Sequence, residues 1–77
     1  MHINITHPMA NKISIQDSPW HYCGEETSEI AFFMNNEWVT NIIPEFDDYA
    51  DAQAMDTRVY GWVPNELIDE FLDKYRL

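Results

Sequence analysis

Between Lys12 and Arg58 the chain contains no lysine or arginine, and ten acids occupy that interval. The formal net charge is −10, with 14 Asp and Glu against four Lys and Arg in 77 residues. A field of that sign repels nucleic acid and anionic membrane surfaces and attracts basic ones. Direct binding of DNA or RNA is therefore excluded as an expectation. Cysteine is nearly absent: Cys23 stands alone, so no internal disulfide is available and a reducing cytoplasm is the expected setting. Long apolar runs are missing too. "MHINITHPMANK" has no signal-peptide core, no stretch approaches membrane-spanning length, and a membrane partner is not expected.

The apolar share is ordinary, at 45%, and the chain holds three Trp, four Tyr and four Phe. That content supports an ordered core in spite of the charge. A chain this short makes one domain, residues 1–77, and buries only about 60–65% of its unfolded surface.

The chain divides into short segments. "HINIT" and "KISIQ" alternate apolar and polar residues and read as two strands, or a hairpin around Pro8. "DSPWHYCGEETS" reads as a loop with aromatic anchors. "SEIAFFM" and "EWVTNII" flank Asn35-Asn36, and asparagine tolerates the positive φ of a two-residue primed turn. That turn pairs Met34 with Glu37, Phe33 with Trp38 and Phe32 with Val39. One face then carries Ile30, Phe32, Met34, Val39 and Ile43, and the other Ala31, Phe33, Trp38, Thr40 and Ile42. "RVYGWV" is a further strand. "PNELIDEFLDKYRL" is a helix with Pro64 at its first position and an apolar stripe of Leu67, Ile68, Phe71, Leu72 and Tyr75. Its acids Glu66, Asp69 and Glu70 come early and its bases Lys74 and Arg76 late, as the helix dipole favours. The expected fold is α+β: a small antiparallel sheet of three to five strands with the C-terminal helix packed on one face. One helix covers one face, so the second apolar face of the hairpin needs the N-terminal segment, a partner or another copy of the chain.

The segment "PEFDDYADAQAMDT", Pro44 to Thr57, carries five acids and no base. Phe46, Tyr49, Ala50 and Gln53 have helical spacing, and a helix there holds Asp47 and Asp51 about 5–6 Å apart on one side. An extended chain spaces alternate residues about 6.6 Å. Either spacing is similar to that of phosphates along a nucleic-acid strand.

Other chemistries fit less well. Glu45, Asp47, Tyr49, Asp51, Gln53 and Asp56 follow the spacing of a calcium loop, but Ala50 stands where the sharp turn needs glycine, and no helix precedes the segment. His21 and Cys23 with His2 and His7 match no zinc pattern, and a Cys–His nucleophile lacks a pocket and an oxyanion hole. Asp47-Asp48 and Glu25-Glu26 are neighbours that point apart, which suits no acid–base pair. No metal, cofactor or enzymatic activity is expected. The plainer account of the acids is solubility.

In size and charge, over its whole length, the chain resembles the small acidic inhibitors made by bacteriophages and mobile elements. Those proteins block restriction enzymes, CRISPR effectors, DNA-repair enzymes or nucleoid proteins, several of them as DNA mimics. The resemblance rests on no motif and assigns no role to a residue. It implies an anti-restriction or anti-CRISPR type of inhibitor acting in a host cytoplasm. Such a protein occupies a basic, nucleic-acid-handling partner, here through Glu45, Asp47, Asp48, Asp51 and Asp56. The alternative is an interaction domain that uses the Phe33/Trp38/Ile42 face, for example as a homodimer.

Overall fold

Alternation in the first sixteen residues becomes a hairpin. In the computed structural model, which describes residues 1–16, 26–51 and 57–77, strand β1 (His2–His7) turns at Pro8-Met9 into β2 (Ala10–Gln16). Ile3 pairs with Ile13, so β1 lays Ile3, Ile5 and His7 on the buried face and leaves His2, Asn4 and Thr6 outside. Strand β3 (Thr27–Met34) pairs with β2 in the register Ile13 to Phe32 and Ile15 to Ile30. The loop expected between β2 and β3, with Trp20, His21, Tyr22 and Cys23, lies outside the described residues.

The Asn35-Asn36 turn forms as its sequence requires. Both residues have positive φ, 52° and 70°, and Phe33 pairs with Trp38 and Met34 with Glu37. Asn35 is also clasped from β2: the Asn11 amide donates to Asn35 Oδ1 at 3.1 Å and accepts the Asn35 N–H at 3.2 Å. Strand β4 is only Glu37–Trp38, far shorter than "EWVTNII" suggested. The reason is competition for one edge. Beyond the Val39 N–H to Phe32 carbonyl bond, β3 takes a different partner, β5 (Tyr60–Pro64). Thus β3 is bordered by β2 on one side and by β4 and then β5 on the other.

Helix α1 (Asn65–Tyr75) follows β5 directly. Pro64 precedes the first helical residue rather than occupying it, because its extended backbone still pairs with Thr27. The first turn is tied down by Asn65, whose N–H donates to the Glu26 carbonyl and whose side chain meets Ser28 Oγ at 2.6 Å. The helix covers the inner face of the sheet through Ile68 and Phe71. Leu67 and Leu72, expected to be buried with Phe71, are only half-buried, because they flank the centre of the stripe. Past the helix, Arg76 bridges to Ile5, so the chain returns to the β1 edge of the sheet.

The core is an aromatic cluster centred on Phe32. Its ring lies 5.5 Å from Tyr60, 5.6 Å from Phe71 and 5.7 Å from Phe46. Ile3, Ile5, Ile13, Ile30, Ile43 and Val63 fill the space around it. The architecture is the α+β arrangement of one small antiparallel sheet and one C-terminal helix. On the outer face the N-terminal strands do not fold over the hairpin; they extend the sheet sideways. The small residues Ser14 and Ala31 are buried there, and Phe33 is flanked by His2 and Trp38.

Candidate functional site

The acidic connection begins as a 3-10 helix, Pro44–Tyr49. Pro44 starts it, and Phe46 anchors it, fully buried at 5.1 Å from Phe71. Its end is set by tertiary pairing. Ala50 is extended and bridges Tyr60, and the Asp51 N–H donates to the Val59 carbonyl at 2.9 Å. Asp47 and Asp51 therefore do not share an α-helical face. The helical spacing that ran on to Gln53 is broken at Ala50, and Gln53 and Asp56 lie outside the described residues.

Asp47 and Asp48 are exposed on this short helix, and Asp51 is half-buried. Glu45 has a structural engagement as well. Its carboxylate meets His7 Nε2 at 3.1 Å, with the imidazole almost wholly buried. The Met9 N–H donates to His7 Nδ1, so the ring proton sits on Nε2 and is donated to Glu45. Partial burial pushes the Glu45 pKa up, but its own backbone N–H, Tyr75 and His7 stabilise the anion and leave it lowered overall.

A second acidic element lies alongside. The outer side of α1 carries Glu66, Asp69, Glu70 and Asp73, all exposed. The i, i+3, i+4, i+7 spacing sets the Cβ atoms of neighbouring acids about 5–6 Å apart on one face. Glu26, Glu66, Asp69, Glu70 and Asp73 line an open hollow of about 600 Å³ over the first turns. Glu45 and Glu70 flank a smaller groove between the two helices, with Lys74 at its rim. The sequence contained this face in its spacing, masked by the dipole argument that already accounted for three of the four acids.

Of the four bases, Arg58 alone is turned inward, while Lys74 and Arg76 are exposed and Lys12 is half-buried. Arg58 is 9% exposed, and its guanidinium donates to the carbonyls of Thr40 at 3.1 Å and Asp51 at 3.2 Å. Trp38 donates its indole N–H to the Arg58 carbonyl at 2.7 Å. Trp38 keeps 38% of its surface exposed beside Phe33, ring centres 5.0 Å apart. Ile42 lies beyond the end of β4, half-buried, and strand pairing does not place it with them.

One feature had no sequence signal. In β5 the pairing with β3 shifts register between Ser28 and Ile30, and Trp62 takes φ 58°. For a bulky residue the left-handed region costs about 1–2 kcal/mol. Gly61, next to it, would accept that conformation without strain, yet its φ is not positive.

Among the described residues no three His, Cys, Asp or Glu side chains gather into a metal-holding group, and no helix is long and apolar enough to cross a membrane. No known family, characterised protein or solved structure matches the chain.

Proposed function

We propose that this protein binds a basic, nucleic-acid-handling partner and occupies the surface that normally holds nucleic acid, in the manner of the DNA-mimic inhibitors of phages and mobile elements. The observation that carries the proposal is the outer face of α1, where Glu66, Asp69, Glu70 and Asp73 are exposed on a helix fixed from below by Ile68 and Phe71. Carboxylates held on a rigid element lose little freedom on binding and offer a regular row of charge to Lys and Arg. Asp47 and Asp48 add two further exposed carboxylates on the 3-10 helix. The protein needs no chemistry of its own for this role. The test is a double reversal, Asp69→Lys with Asp73→Lys. Binding to a partner isolated from host lysate should be lost while thermal unfolding is unchanged, and DNA should compete with the parent protein for that partner. Affinity that is insensitive to salt, together with no competition by DNA or RNA, would remove the proposal.

The exposed Trp38 beside Phe33 favours a second use, self-association through the outer face of the sheet. Sedimentation that shows a monomer at high concentration would remove it.

A further inference from the structure

The strained Trp62 sits at the mouth of a cleft. Tyr49, Asp51, Val59, Gly61 and Trp62 line an open space of about 250 Å³, enough for one long side chain. Trp62 lies within the stretch of β5 where the register shifts and is 56% exposed, more than Trp38. A chain that holds a tryptophan backbone in the left-handed region beside a glycine with negative φ, and leaves more than half of that residue exposed, bears two costs. Such strain concentrates where a ligand is gripped.

Two aromatic residues, Tyr49 and Trp62, line the space together with Asp51, and Asp47 and Asp48 stand exposed just before Tyr49. Arg58 lies close by and donates to the Thr40 and Asp51 carbonyls, but one buried base stands against the three acids Asp47, Asp48 and Asp51, so the net charge around the cleft is negative. Flat cations stack on aromatic faces, and a guanidinium does so while its fork still donates to a carboxylate. We infer that the Tyr49/Trp62 cleft receives an arginine side chain of the protein partner. This rests on the acidic-interface function proposed above and adds an anchor to it. The helix carboxylates supply charge attraction, and the cleft supplies a stacking site that distinguishes arginine from lysine.

The test is a titration of the isotope-labelled protein with a blocked tetra-arginine peptide and, separately, tetra-lysine, following the indole N–H signals. The Trp62 signal should move with tetra-arginine, and tetra-lysine should bind at least fivefold more weakly. Trp62→Gly should weaken tetra-arginine binding tenfold or more and leave the melting temperature unchanged or higher, since glycine accepts the positive φ. Tyr49→Leu, which keeps apolar bulk without the ring, should give a similar loss with the fold intact. Tetra-arginine binding that leaves the Trp62 signal still, or that both variants retain, would overturn the cleft but not the acidic interface. So would equal affinity for the two peptides, or a Trp62→Gly protein that melts lower and binds unchanged. Failure of both peptides to bind the parent protein would overturn the cleft and the interface together.

Discussion

His7 and Glu45, 38 residues apart in sequence, meet at 3.1 Å and join the first β-turn to the start of the acidic connection. The geometry fixes the tautomer, because Nδ1 is already occupied by the Met9 N–H. The imidazole also packs on Phe71 and Tyr75, at 5.6 and 4.7 Å. Glu45 thus belongs to the frame that holds the 3-10 helix against α1.

From that contact a pH dependence follows. The folded-state pKa of Glu45 is lowered from 4.5. A carboxyl depressed in the folded state stabilises above its unfolded value, and the contribution is lost as pH falls through the folded value. Urea unfolding below pH 4.5 should show parent and Glu45→Gln stabilities converging as pH falls, with the parent the more stable at neutral pH. A constant difference from pH 3 to pH 7 would contradict this.

Phe71 touches His7, Phe32, Phe46 and Tyr75 and is 5% exposed. Phe71→Ala should cost about 3–5 kcal/mol. That is much of the stability of a small domain, so a loss of cooperative unfolding is the expected outcome. Half-buried Leu72→Ala should cost clearly less. Equal losses measured by denaturant titration would mean that the helix is rotated from this packing.

Arg58 links the Thr40 and Asp51 carbonyls through its Nε and Nη1. A lysine has one point of donation and cannot reproduce that fork. Arg58→Lys should lose about 1–3 kcal/mol, the cost of leaving a buried polar group unsatisfied. It should also raise amide exchange at Asp51, whose N–H bonds to Val59. An unchanged melting curve would show the bridge to be idle.

The Asn35-Asn36 turn can be tested by comparing two variants that both lose the exposed bond from Lys12 Nζ to Asn36 Oδ1 and differ in backbone shape. Asn36 has φ 70°, so Asn36→Gly should be neutral or slightly stabilising, while Asn36→Val should lose about 1–2 kcal/mol. Similar stabilities for the two variants would mean that the turn opens at little cost.

How much of this was legible depended on how local its cause is. The Phe33–Trp38 register followed from two asparagines between β-prone runs, because a two-residue turn fixes its own pairing. The helix was legible from the spacing of Ile68, Phe71 and Tyr75. The early end of β4 was not, since it depends on β5 arriving at the same edge of β3 from more than twenty residues away. The end of the 3-10 helix at Ala50 has the same origin: a bridge to Tyr60 outweighed helical spacing that ran on to Gln53. The acids Asp47, Asp48 and Asp51 were visible as charge, but their division between an exposed turn and a half-buried strand edge was not. Trp62 lay in "RVYGWV", which reads simply as a strand, and neither the register shift against β3 nor the positive φ of Trp62 has a mark in that pattern.

The central position of β3 has a kinetic consequence. Its pairing with β2 and β4 draws on nearby chain, but Ser28 completes its other edge only when Val63 arrives, and Phe32 completes its ring contacts only with Phe71. Loop closure over such separations is slow compared with a hairpin turn. During synthesis the first four strands can leave the ribosome with Phe32 still uncovered, and the cooperative step waits for the last helix. Refolding rates should therefore respond to substitutions at Val63 and Phe71 more than to those in the Asn35-Asn36 turn.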